Sequence, residues 1–140
     1  MPGTVSPVTG AVVDCQFTSV DEVPAIFSAL KTKIGNEELT LEVQQQLDGN
    51  VVRTVAMGST DGLSRGVAVE DTKAPISVPV GPETLGRMFN VLGEPIDGMP
   101  QINIRKRYPI HRPAPKFSEQ STETEVLKRA SKSSTSSARF

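Results

Sequence analysis

The sequence contains no tryptophan, one tyrosine, one cysteine and one histidine in 140 residues. A single Cys15 cannot form an internal disulfide, which points to a reducing compartment. One cysteine and one histidine are also too few for a zinc centre. No apolar run approaches the roughly 18–20 residues of a membrane-spanning helix. The opening stretch, "MPGTVSPVTGAVVDCQF", lacks the basic-then-apolar layout of a signal peptide and starts directly on strand-like sequence. Charge of one sign is missing too: fifteen basic residues against sixteen acidic ones leave a formal net charge of −1. That balance gives no bulk attraction to nucleic acid or anionic lipid. The expectation is a soluble cytosolic protein with no targeting peptide, no direct membrane insertion and no nucleic-acid partner.

Apolar residues make up 36 % of the chain, enough Val, Leu, Ile and Phe for a core in its first three-quarters. The length allows one ordinary domain, or a small domain plus part of another. Residues 1–74 read as short strands separated by turns. "AVVDCQF" (11–17) is rich in β-branched and aromatic residues. In "LTLEVQQQL", Leu39, Leu41, Val43 and Leu47 share one face while Thr40, Glu42, Gln44 and Gln46 share the other. That period of two predicts a half-buried strand. Asp48-Gly49-Asn50 then turns the chain into "VVRTVAM", so 39–57 is a candidate hairpin. Asp61-Gly62 and Arg65-Gly66 mark further turns before "VAVEDT". Short strands at this spacing, with no long helical pattern, predict a mainly β fold closed as a small barrel. Closure also removes the unpaired edges of so small a sheet.

Residues 75–127 differ. Eight of the eleven prolines lie between Pro75 and Pro115, whereas 25–74 has none. Proline removes a ladder donor, so a dense regular sheet is not expected there. The segment reads as extended chain over a surface, with a short helical turn at "PETLGR" and turns at Glu94-Pro95 and Asp97-Gly98. Its apolar stretches ("ISVPV", "MFNVLG", "INI") require a surface to pack against, and 75–127 is expected to pack poorly. Thr122 and Glu125 have capping-box spacing ahead of Val126 and Leu127, a candidate helix start. The tail, 128–140, carries five serines and no apolar face, and is expected to be disordered.

No catalytic site can be assembled from these residues. Gly58, Gly62 and Gly66 lie four apart in "GSTDGLSRG", but a phosphate-cradling loop needs a helix after it and a Gly-Lys-Ser/Thr ending. The chain has no Gly-Lys pair, so ordinary turns are expected. Cys15 and His111 would need a third group to act as nucleophile and base. Cys15 is expected as a small buried residue and His111 as a surface or packing residue. The carboxylates Asp21, Glu22, Glu37, Glu38, Glu70, Asp71, Glu119, Glu123 and Glu125 are expected on solvated faces. Lys128, Arg129, Lys132 and Arg139 have no interleaved aromatics and make a weak footprint for phosphate. No catalytic, cofactor-binding or metal-binding residue is assigned: all three are none.

"PISVPVGPETLGRMFNVLGEPIDG" (75–98) closely resembles the catalytic (beta) subunits of F-type ATP synthases. "GAVVDCQF" (10–17), "VVRTVAMGSTDGLSRG" (51–66) and "EQSTETEVL" (119–127) are similar to the same family in the same order. The resemblance spans nearly all of 3–127. It implies a six-stranded N-terminal barrel over about 3–74, in a crown where alpha and beta subunits alternate around a hexameric ring. It implies that 75–127 begins a nucleotide-binding domain whose remainder, with its phosphate loop and magnesium ligands, lies later in the family chain. The full-length family binds ATP or ADP with magnesium and couples ATP synthesis to proton or sodium flow. No position here matches its catalytic residues. The resemblance further implies a peripheral location on the cytoplasmic side of a bacterial inner membrane.

The tail has its own relation to this family. Family members continue after "TEVL" with a segment such as "ETGIKVIDLLGPF", as long as Lys128–Phe140 here. Loss of one base after Leu127 would make each codon start on the second base of an expected one. Glu, Lys and Asp then become Lys or Thr, fitting Lys128, Lys132 and Thr135. Thr and Pro give Arg129 and Arg139, and glycine gives Ala130 and Ala138. Ile, Val, Leu and Phe give the five serines and Phe140. The tail is therefore expected to be a shifted reading of a family helix, its burying face turned to serine. Two alternatives stand beside this truncated beta subunit. One is an autonomous barrel module that binds alpha subunits in assembly or regulation. The other is an unrelated oligonucleotide-binding barrel, disfavoured by neutral charge and scarce aromatics.

Overall fold

The computed structural model describes residues 3–124 and 126. Six strands form a closed antiparallel barrel: β1 (Gly3–Thr9), β2 (Val12–Gln16), β3 (Ser28–Ile34), β4 (Glu37–Leu47), β5 (Val51–Ala56) and β6 (Ala68–Pro75). Around the barrel the order is β1-β2-β5-β4-β3-β6, and β6 closes it by pairing with both β3 and β1. The mainly β, barrel-forming character expected from the sequence is what the chain adopts. Three tight hairpins turn at Gly10, at Gly35 and at Gly49-Asn50, all with positive φ. At such turns glycine meets no Cβ penalty. The hairpin expected over 39–57 is present as β4 and β5, paired from Leu41↔Ala56 to Leu47↔Val51.

Inward alternation fills the barrel. Val5, Val13, Cys15, Phe17, Leu30, Leu39, Leu41, Val43, Val52 and Val69 form one buried cluster. Two threonines enter it with their hydroxyls satisfied: Thr54 donates to the Val13 carbonyl at 2.7 Å and Thr32 to that of Ala68 at 2.9 Å. A buried hydroxyl left unpaired would oppose folding, so these bonds make β-branched threonine acceptable inside. Register slips bend the strands into closure. One lies between Val5 and Val8, where Pro7 sits, and another between Val43 and Gln45. Proline in a sheet is tolerated at such a bulge, where no ladder donor is required.

The expected half-buried character of β4 is corrected by the structure. Its polar face is covered as well: Thr40 and Glu42 are buried alongside Leu39, Leu41 and Val43, while Gln44 and Gln46 stay exposed. The cover comes from the proline-rich segment. After β6 the chain enters β7 (Ser77–Pro79), which pairs over three residues with β8 (Arg107–Pro109). Two backbone bonds extend this ribbon, Val80 N to Lys106 O and Ile110 N to Ile76 O. Ile76 and Pro79 are buried, and His111 reaches Glu42 on β4. Residues 76–111 thus form a strap over the outer face of the barrel.

Within the strap, the helical turn expected at "PETLGR" is a single 3-10 turn over Pro82–Thr84. The turn expected at Glu94-Pro95 lies slightly earlier, since Gly93 N bonds to Asn90 O while Pro95 bridges Phe89. Asn90 causes the shift: its side-chain oxygen accepts from the amides of Leu92 and Glu94, so the chain reverses around it. Gly93 is fixed by position as well as by its φ of 76°, because a Cβ there would run into Pro79 Cδ. Poor packing holds for part of the segment only. Ile76 and Pro79 are buried, but Leu85, Met88, Val91, Ile96, Met99 and Phe117 remain exposed. The helix start expected at Thr122 has no helical turn over 121–124, and Glu125 and the tail 128–140 lie outside the described residues.

Candidate functional site

The glycine-rich loop, "GSTDGLSRG", connects β5 to β6. It is followed by strand rather than helix, and its backbone bonds run back to the barrel, with Gly66 N donating to Val5 O. Leu63 packs on the barrel core, and Gly58 lies against Leu39. Without a helix N-terminus, amides are not gathered on one point where an anion could sit. These residues do not fit a nucleotide triphosphate and its magnesium ion. The described residues hold no group of three or more His, Cys, Asp or Glu that could bind a metal. No helix among them is long and apolar enough to cross a membrane.

Cys15 and His111 are kept apart by the barrel wall. Cys15 on β2 is fully enclosed, and burial pushes its thiol up to about 12. A thiol so held is not a nucleophile near neutral pH. His111 lies on the outer side, where its ring stacks on Phe27 with centroids 3.9 Å apart and its Nε2 is 3.1 Å from Glu42 Oε1. It is the packing residue expected from the sequence, but it also has a charged partner that the sequence did not identify.

The carboxylates separate into two kinds. Glu38 pairs with Lys31 at 2.6 Å on an exposed face, and Asp71 accepts the amide of Lys73. Glu119 accepts from the amide of Lys116. Glu42 and Asp97 are different, and neither was among the sequence candidates. Asp97 ties residues 87–99 into a loop: it takes two bonds from Arg87, one of them 3.0 Å, and accepts the amides of Met88 and Met99. Arg87 reaches the Pro100 carbonyl as well. Arg87, followed by these amides, holds the Asp97 carboxyl well below the usual carboxylate range. Nearby, Lys106 and Arg112 both lie over the ring of Tyr108, at 4.8 and 4.0 Å from its centroid. Lys106, and less strongly Arg112, draws the Tyr108 hydroxyl below its ordinary value. These groups hold the strap's own shape and bring no two reactive groups together.

The described residues form a closed barrel with a strap and apolar side chains outside it. Residues 5–73 match the model of the ATP synthase alpha/beta family's beta-barrel domain. The barrel belongs to that family. The match ends within β6, two residues short of its last residue Pro75, so it takes in all or part of each of the six barrel strands. Within this ATP synthase barrel, the inward residues named above make the core, and the outward face of β4 receives the strap.

Proposed function

We propose that this chain is the N-terminal portion of a beta-type, catalytic ATP synthase subunit. Its barrel (1–74) takes its place in the crown of a ring where alpha and beta subunits alternate. The observation that carries this reading is the family match over the closed barrel, joined to the beta-like "PVGPETLGR" after it. Residues 75–127 are the start of the nucleotide-binding domain, and 128–140 is the shifted reading of its next helix. The chain carries out no nucleotide chemistry and serves subunit assembly, peripheral on the cytoplasmic side of a bacterial inner membrane. Exposed Leu85, Met88, Val91 and Phe117 support the assignment of 75–127, since such side chains need a later part of a domain to cover them. Resequencing the gene past codon 127 tests the proposal. Restoring one base should recover "ETGIKVIDLL" and a Gly-Lys-Thr loop. An unbroken frame with nothing related downstream contradicts the truncated-subunit assignment.

A second reading rests on closure itself. A barrel whose six strands satisfy one another needs no later domain to fold. The chain then acts as an autonomous module that binds alpha subunits during assembly. Stable capture of an alpha subunit by the purified chain supports it, and rapid degradation without capture counts against it.

A further inference from the structure

The acid-free stretch between Asp97 and Glu119 contains Arg105, Lys106, Arg107, Arg112 and Lys116, five of the chain's fifteen basic residues. The formal net charge of −1 therefore hides a local excess of positive charge. The ion pairs among the described residues engage Lys31, Arg53, Arg87 and His111, and none of these five. Arg107 is held by neutral groups: its guanidinium donates to the Ser77 carbonyl at 2.8 Å and to the Leu92 carbonyl at 3.3 Å. Carbonyls satisfy its donors but leave its charge in place.

Successive side chains of a strand point to opposite faces, so Tyr108 on β8 turns away from the side on which Arg107 grips those carbonyls. Lys106 and Arg112 come to the Tyr108 ring, with Nζ 4.8 Å and Cζ 4.0 Å from its centroid. Both cations are exposed, and Tyr108 is half-buried. Resting on the ring orders two long side chains that would otherwise move freely, so less ordering remains to oppose binding. The hydroxyl is a third donor beside them. Lys106, and more weakly Arg112, draws it below its ordinary value, and no carboxylate acts against them. An ammonium, a guanidinium and a phenolic O–H thus gather in one place with no acid among them.

We propose that Lys106, Tyr108 and Arg112 form a binding site for a terminal phosphate group. The donor set selects the shape of the ligand. A carboxylate offers two oxygens in one plane, matched by a single arginine fork, whereas a tetrahedral phosphate offers oxygens to several separate donors. Lys106 supplies a point charge, Arg112 a two-pronged contact and Tyr108 a hydroxyl. No glycine-rich loop or helix N-terminus takes part, so the site is unlike the phosphate loop that the family carries later in its chain. It lies outside the matched residues, 5–73, and stands whether or not the subunit assignment does. The group is available from two sources, small phosphates in solution and phosphomonoester headgroups at a lipid surface, and the test separates them.

NMR titration of the full chain with inorganic phosphate, at constant ionic strength against chloride, reads the site. The ring of Tyr108, the chain's single tyrosine, is the reporter. Its signals should shift and saturate with phosphate but not with chloride, which assigns the small-phosphate source. Lys106→Gln and Arg112→Gln should each weaken binding by roughly tenfold, the loss of one charge-assisted contact. Arg105→Gln removes the same charge from an exposed neighbour that is not on the ring, and should leave binding within about twofold. Phosphatidylcholine vesicles containing phosphatidic acid form the second arm. Sedimentation of the chain with them, but not with vesicles containing phosphatidylserine, assigns the lipid source if Arg112→Gln abolishes it. Neither saturation by phosphate nor such sedimentation in the unaltered chain overturns the site, and that result needs no variant to fold. Weakening by Arg105→Gln equal to that by Arg112→Gln overturns it too, since diffuse charge then accounts for the binding.

Discussion

The barrel and the strap differ in composition, the strap being proline-rich, and they are held by different means. In the barrel each strand has two neighbours, so the backbone is satisfied by pairing and the core side chains by one another. The strap has three residue pairs of its own, and it leans on the barrel through Ile76 and His111. The barrel's order therefore comes from closure, and the strap's from docking. The difference also places apolar surface. The barrel strands hide nearly all of theirs, with exposure confined to Val12 and to Val20, Ile26 and Phe27 in the β2–β3 connection, whereas Leu85 in the strap and Phe117 beyond its end are 80 % and 88 % exposed. A contact made once, by docking, can be released without unfolding the rest.

The largest effect expected from this contrast is in the barrel core. Leu41→Ala, at a fully enclosed site, should cost about 2–5 kcal/mol in denaturant unfolding. It should loosen strap and barrel together, because the strap has no other support. Loss of the strap alone in this variant would break the comparison.

Gly93→Ala should do the reverse. Its Cβ meets Pro79 Cδ and lies 3.2 Å from Val78 Cα, on a backbone of positive φ. The strap should lose protection against hydrogen exchange while the barrel's melting temperature changes little. Asp97→Asn should act more locally still, raising exchange at the Met88 and Met99 amides only. The pH dependence has a definite sign. Because Arg87 holds Asp97 below the usual carboxylate range, its contribution is present at neutral pH. That contribution should survive acidification through roughly pH 4, the ordinary Asp value, and disappear only in stronger acid. Loss of the loop already at mildly acidic pH would contradict the ion-pair account.

Cys15 gives the barrel its own probe. With the thiol pushed up to about 12 and fully enclosed, labelling by a thiol reagent at neutral pH should occur only through barrel opening. Its rate should rise in Leu41→Ala and stay unchanged in Gly93→Ala. The smallest effect belongs to Leu85→Ala, at an exposed site, which should stay within about 0.5 kcal/mol of the unaltered chain.

Much of the barrel is legible in the sequence, because its signals are local. The period of two in β4, the Asp48-Gly49-Asn50 turn and the β-branched run of β2 and β5 each lie within a dozen residues. β3 is harder to see: "AIFSAL" is apolar but for Ser28 and shows no alternation, and the strand begins only after the kink at Phe27. Burial of Glu42 is not legible at all. It depends on His111, 69 positions away, and a pattern within β4 carries no information about what covers its outer face. The Arg87–Asp97 pair is hidden likewise, since a loop closed over ten residues has no periodicity to show it. The turn at Asn90 is displaced because a side-chain cap outweighs the Glu94-Pro95 signal. The family barrel is thus largely readable from the sequence, whereas the strap's attachment becomes visible only in three dimensions.

The most direct test of the central claim is native-state hydrogen exchange of the full chain in increasing denaturant. The account predicts two tiers: ladder amides of β2, β4 and β5 exchange only with global unfolding, whereas Val80 and Ile110 exchange earlier, through opening of the strap's own two-stranded ribbon. A single tier shared by barrel and strap, or a strap that outlasts the barrel, would contradict it.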